Sequence, residues 1–338
     1  MRFGSSALLA ALAAAFCSVA AVQGIAAEPL HLRIARLYGL ASLPIMIVEH
    51  ERLLEKRLAE AGLGSVAIDW IAPPKGSTPL DLMLAGKLDV AIGDLPGFLD
   101  RWDSAVSTPR EVRAVAALES MPYVLVARNP ALKTIRDFTN KDRIALSSKL
   151  AGPAVALQMA AAQEWGFEHR DKLDAFAVVR PDEDAMEALL AARADIDAHF
   201  AGPPYSDYEL AEPRIHRIMD SFDIAGPHTS ELVLATKAFH DAQPKLCAAL
   251  VAALTEADRF IKENPGEAAE IYVAMTDDSQ VSVEDLADIL ADPDAEYTTK
   301  PAGVMHIAEF LHRAGRLKHQ PDSWKDLFFP EIHALPGS

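Results

Sequence analysis

One pattern occurs twice in this chain and restricts what it can fold into. Leu84-Ala85-Gly86-Lys87-Leu88-Asp89-Val90 returns as Leu190-Ala191-Ala192-Arg193-Ala194-Asp195-Ile196, 106 residues later. In both copies a helical pattern ends in small and basic residues, and an Asp then opens a β-branched strand. Each copy is preceded by Arg-Ile-Ala, at Arg33-Ile34-Ala35 and Arg143-Ile144-Ala145, and by a proline that starts a helix, Pro44 and Pro153. Matches in the same order at nearly the same offset indicate two copies of one architectural unit, or two lobes that converged on it.

Each unit reads β-α-β-α-β. The first comprises strands at 32–37, 66–71 and 89–92, with helices at 44–61 and 78–84. The second comprises strands at 143–147, 175–179 and 196–200, with helices at 153–165 and 183–192. Such alternation predicts parallel sheets covered by helices on both faces, with ligands beyond the carboxyl ends of the strands. Two segments are read as crossings between the units, one through Met121-Pro122 and one near 219–227. After the second crossing come a strand at 231–235 and helices at 243–264, 265–275, 282–290 and 301–314, which are expected to rejoin the first lobe. The predicted fold class is α/β, with two doubly wound lobes joined by a two-crossing hinge that lets them close. The expected division is a leader at 1–27, lobe 1 at 28–120, lobe 2 at 121–222, and the rest of lobe 1 with C-terminal helices at 223–338.

The leader has the pattern of a secretory signal. Arg2 supplies the positive end, Ala7 to Ala15 the apolar stretch, and Gly24-Ile25-Ala26 the small residues before a cut after Ala26 or Ala27. The expected location is therefore the periplasm. The mature chain, about 310 residues, is long enough for two separate cores. A net charge of −17 argues against nucleic acid or anionic lipid as a partner. Of two cysteines, Cys17 departs with the leader and Cys247 sits alone on an apolar helix, so no intrachain disulfide is expected.

The chain resembles the nitrate/sulfonate/taurine (NitT/TauT) branch of ABC-transporter substrate-binding proteins, in the superfamily of the thiamine-pyrimidine synthases. The resemblance rests on Leu32-Arg33-Ile34-Ala35 with Leu43-Pro44, and on Leu84 to Ala91. It also rests on Ala198 to Tyr205 followed by Glu209-Leu210, and on Leu327-Phe328-Phe329-Pro330. It spans essentially the whole mature chain. It implies a type II periplasmic-binding fold and small-molecule capture for import; a monomer is expected, and Lys149, His199 and the aromatic loops suit a small anionic or aromatic/heterocyclic solute. That solute would pass to an ABC permease with its ATPase subunits, and no cofactor is implied. A periplasmic ligand-sensing subunit is the alternative. The synthase branch, by the same resemblance, is cytosolic, uses an active-site histidine with pyridoxal phosphate and carries clustered cysteines. This chain has a leader and no such cluster.

Loops after strands supply the candidate ligand residues. Tyr38 and Ser42 flank a helix start, with Ser42 placed to cap it. Ser77 and Thr78 stand at another helix start, where free N–H groups bind anions. Gly93 and Asp94 end a strand, with Asp94 placed to accept from a ligand amine or to cap the next helix. Met121 lies on the first crossing. Ser147, Ser148, Lys149 and Gly152 combine hydroxyls, an ammonium and a helix start, the strongest anion-site pattern in the chain. His199, Phe200 and Tyr205 offer an imidazole and two aromatic faces. No G-x-S-x-G, H-E-x-x-H, G-x-x-x-x-G-K-[ST] or G-x-G-x-x-G motif is present, and no catalytic residue is assigned. The eleven histidines are scattered, so no metal site is expected.

Overall fold

A computed structural model describes residues 30–64, 66–193, 195–276 and 282–338. The expected leader at 1–27 lies outside the described residues. The strands, in chain order, are β1 (Leu30–Ala35), β2 (Val66–Ile71), β3 (Val90–Asp94), β4 (Val112–Ala117), β5 (Glu119–Ser120) and β6 (Val124–Ala127). Then come β7 (Ile144–Leu146), β8 (Ala177–Val179), β9 (Ala198–Ala201), β10 (His216–Asp220), β11 (Glu231–Thr236) and β12 (Glu296–Tyr297). They form one five-stranded sheet in the order β2-β1-β3-β11-β4 and another in the order β10-β6-β9-β7-β8. The strands β5 and β12 pair separately.

The sheets are mixed, not parallel throughout. In the first, β11 runs antiparallel to both β3 and β4; in the second, β6 runs antiparallel to β9 and β10. The reason is directional. A chain that leaves one sheet at the carboxyl ends of its strands reaches the other sheet at the same edge. Its next strand must then run away from that edge. Strand β6 does this after the outgoing crossing, and β11 does it after the return.

The expected helix at 44–61 is two helices, Leu43–His50 and Leu53–Glu60, because Arg52 takes a left-handed conformation (φ 54°). The helices Gly152–Trp165 and Pro244–Glu263 run close to their predicted bounds. On the latter, Leu246, Leu250, Leu254 and Ile261 are fully buried. Each such side chain contributes roughly 1.5–3 kcal/mol of burial. The end of the chain returns to the first sheet: Leu327 accepts from the Ala114 amide and Phe329 donates to the Ala114 carbonyl, with Phe328 and Phe329 buried. Cys247 is buried among these helices, and burial pushes its thiol up to about 12.

The repeated motif has a common backbone form. Gly86 (φ 71°) and Ala192 (φ 54°) are both left-handed and end their helices the same way. Gly86 and Lys87 donate to Met83 and Leu82; Ala192 and Arg193 donate to Leu189 and Ala188. This is the Schellman closure. Further on, the copies diverge by two residues. The Asp that opens a strand in the second unit is Asp197, not Asp195. Its carboxylate accepts from the Arg143 amide at 2.8 Å, just as Asp89 accepts from the Arg33 amide at 2.8 Å.

Ala192 holds the position that glycine fills in the first copy, and it is exposed. A left-handed alanine costs roughly 1–2 kcal/mol, part of which glycine returns as unfolded-state entropy. Ala192→Gly is expected to stabilise the fold by about 0.5–1 kcal/mol in urea unfolding. A destabilised variant would contradict this reading of the cap.

Candidate functional site

The carboxyl edges of the two sheets face each other across a cavity of about 330 Å³. From the first sheet's side come Leu37 to Ser42 after β1, Asp94 at the end of β3, and Ser230 and Glu231 at the start of β11. Tyr272 of helix Pro265–Thr276 joins this wall. From the second come Ser147 after β7, Ala151 to Pro153 at a helix start, Asp182, and Ala201 to Tyr205 after β9. Glu119, Met121, Pro122 and Tyr123 line it from the outgoing crossing.

Of the candidates named from sequence, Tyr38, Ser42, Asp94, Met121, Ser147, Gly152 and Tyr205 line this cavity. The others lie elsewhere. Ser77 and Thr78 are exposed, and Thr78 caps its own helix by accepting from the Asp81 amide at 3.1 Å. Gly93 sits within β3 against Leu234. Ser148 accepts from the Leu150 amide within its own loop, and Lys149 is exposed. Phe200 is fully buried and meets the edge of Tyr123, with ring centroids 6.4 Å apart.

His199 is also fully buried, behind the cavity wall. Its Nδ1 is 2.8 Å from Glu209 Oε1 and its Nε2 is 3.3 Å from Asp182 Oδ1. Burial pulls the imidazole pKa down, but the bonds to Asp182 and Glu209 outweigh it and hold it at about 9. The imidazolium ties two helices together and fixes Asp182 at the cavity.

Three carboxyls that sequence patterning does not bring together dominate the first sheet's side. Glu119 is fully buried, and its Oε1 accepts from the Glu231 amide at 2.8 Å. Burial, then the Glu231 charge, holds it well above the ordinary carboxylate range. Glu231 accepts from the Ser42 hydroxyl at 2.8 Å, and burial raises it. Ser42 therefore serves the carboxylate instead of capping its helix. Asp94 caps helix Leu95–Ala105 through the Gly97 amide at 3.4 Å, and burial raises it too. A sign of these groups is present in the sequence: Glu119 and Glu231 each adjoin an apolar run, Val115–Leu118 and Leu232–Ala235. Among the described residues, no group of three or more His, Cys, Asp or Glu is arranged to hold a metal ion.

Two sheets, two crossings and a cavity at their facing edges define the periplasmic-binding-protein fold. The chain belongs to the family described as NMT1/THI5 like, whose profile matches residues 59–268. Solved structures share the fold. The periplasmic aliphatic sulphonate-binding protein SsuA from Escherichia coli is 18% identical, with a TM-score of 0.67 over 89% of this chain and 92% of that one. The periplasmic nitrate-binding protein NrtA from Synechocystis PCC 6803 is 15% identical, with a TM-score of 0.69 over 91% and 89%. A conserved Candida albicans gene product with the generic periplasmic binding protein fold is 16% identical, with a TM-score of 0.63 over 87% and 92%. No curated protein matches the chain in sequence. Among the described residues, no helix is long and apolar enough to cross a membrane.

The His199 pKa in the fold lies above the ordinary 6.5, so its stabilisation is complete below about pH 6.5 and lost as pH rises through about 9. It amounts to about 3 kcal/mol at most. Thermal midpoints are expected to fall between pH 7 and 9, and less steeply in His199→Gln. Asp258, raised to about 8 by burial, contributes to the remaining slope with the same sign. An equally steep slope in the variant would refute the ion pair. Separately, a Cβ on Gly152 would stand 2.5 Å from the Tyr123 ring. Gly152→Ala is expected to cost about 1–3 kcal/mol in urea unfolding, with partial recovery when Tyr123→Leu is added.

Proposed function

We propose that this chain is the solute-binding component of an ABC importer. A leader would export it to the periplasm, where it would act as a monomer. It would take a small solute into the cleft and deliver it to a permease served by ATPase subunits. The observation that carries this reading is the cavity itself, about 330 Å³ with walls from both sheets. That is within the range of small-molecule sites. The sulphonate- and nitrate-binding neighbours support it, being periplasmic binding proteins of the same fold.

On this reading, residues 28–120 with 223–338 form one lobe and 121–222 the other, and the crossings are the hinge. A solute touching both walls favours the closed form by the difference between its affinities for closed and open states. Closure then marks a loaded protein for docking on the permease. Of the solute types expected from sequence, the aromatic or heterocyclic kind suits the walls better. Tyr38, Tyr123, Tyr205 and Tyr272 line the cavity, and among the described residues no lysine, arginine or histidine does.

Calorimetry across a metabolite panel, with X-ray scattering of each mixture, checks the proposal. A binding solute that also reduces the radius of gyration is the expected result. Binding with no compaction would remove the closure mechanism. Intact uptake of the bound solute in a deletion strain would favour a sensing subunit.

A further inference from the structure

The acidic groups on the cavity wall have no basic group with them among the described residues. Asp94, Glu119, Glu231 and Asp182 line the cavity, and among the described residues no cationic side chain lines it with them. Asp182 is answered by His199. Arg316, the cation that acts on Asp94, is held by Asp100. Asp94 and Glu231 are direct register partners on β3 and β11, where like charges oppose each other and destabilise the pair. Glu119 is the most exacting case. It is fully buried; its Oε1 is held by the Glu231 amide, Ser230 lies beside the carboxyl, and its Oε2 makes no hydrogen bond of good geometry among the described residues. An unsatisfied buried acceptor costs about 1–3 kcal/mol, and more if charged. A group kept in this way calls for a partner, and the N–H of a solute in the cavity supplies one.

Among the described residues no arrangement is built to hold a metal ion, and an organic solute carrying N–H groups is of a size with the cavity. We infer that the cavity, if it captures a solute as proposed, takes a small organic cation bearing a protonated amine, amidinium or guanidinium. Its N–H groups donate to Glu119 and to the Asp94–Glu231 pair, and its body lies against the cavity tyrosines. Charge-assisted hydrogen bonds of this kind are about twice as strong as neutral ones. Tyrosine faces add cation–π attraction. An anion would meet the carboxyls with no basic side chain to offset them.

The full-length mature protein tests this by calorimetry against benzylamine, benzamidine and phenylguanidine. Benzyl alcohol and benzamide serve as neutral counterparts, and benzenesulfonate and nitrate as anions. Any solute retained through gentle purification is extracted and identified by mass spectrometry. The expected result is binding of at least one cation, no binding of its neutral counterpart or of either anion, and at least a 10-fold loss in Glu119→Gln. Glu231→Gln is the second variant, and thermal melts establish that both fold. A retained solute with a protonatable nitrogen supports the same conclusion. Binding of an anion, a retained solute lacking such a nitrogen, or unchanged cation affinity in both variants would overturn the inference and leave solute capture standing. No binding by the whole panel, together with no retained solute, would overturn both.

Discussion

Everything at the cleft depends on two crossing segments being hydrogen-bonded to each other. Glu119 accepts from the Glu231 amide, and Leu118 donates to the Glu231 carbonyl. Ser120 bridges Thr229, and the Ser230 hydroxyl donates to the Met121 carbonyl. At the far end the Tyr123 amide donates to the Ser221 hydroxyl, and the Ser221 amide donates to the Tyr123 carbonyl. A single strand joining two lobes would leave their relative rotation loose. Two strands bonded along their length resist shear and twist while still permitting a bend across the ribbon. The same ribbon carries Glu119, Tyr123, Ser230 and Glu231 into the cavity wall. On the proposed function, hinge and binding surface would therefore share these residues, and a solute that contacts them would bear directly on lobe angle.

Much of this frame is legible in the chain itself. The repeat identifies two α/β units because both copies must end a helix and open a strand within a few residues. The left-handed Gly86 and Ala192 are the physical counterpart of that similarity. What the repeat does not convey is direction. Hydrophobic patterning does not distinguish a strand running toward the cleft from one running away, so the antiparallel direction of β6 and β11 is not legible in it. Nor does it convey the two-residue offset that makes Asp197, not Asp195, the strand opener. That role depends on an amide from Arg143, more than fifty residues away in sequence. The break at Arg52 is hidden for a related reason, since arginine carries no left-handed preference that would announce it.

The site is legible by loop more than by side chain. Strand ends point to Tyr38, Asp94, Ser147 and Tyr205, which do line the cavity. Lys149 and the Ser77-Thr78 pair fit an anion-site pattern, but they lie in solvated loops. Glu119 and Glu231 carry no sequence signal beyond the apolar runs they adjoin, and only tertiary structure brings them beside each other. His199 is the second residue of β9 rather than its last, so it lies below the cavity edge that Ala201 lines. There it neutralises Glu209 and fixes Asp182.

The balance of charge also bears on how an empty cleft would avoid closing. Drawing Asp94, Glu119 and Glu231 away from water makes each harder to ionise, and burial already raises all three. Closure without a solute therefore confines protons, or repelling charges, in a space losing its water. A cation reverses the sign of that cost. At an effective dielectric of about 20, one opposite charge roughly 4 Å away contributes about 4 kcal/mol before desolvation is counted. That gross term is comparable to the differential affinity that shifts a two-state hinge from mostly open to mostly closed, about 5.5 kcal/mol for a 1:99 to 99:1 change. The acidic exterior acts in the same sense, because a net charge of −17 concentrates cations near the molecule and repels anions. On the cation reading, the unpartnered Glu119 oxygen is thus part of the discrimination: it penalises closing empty as much as it rewards closing on a donor.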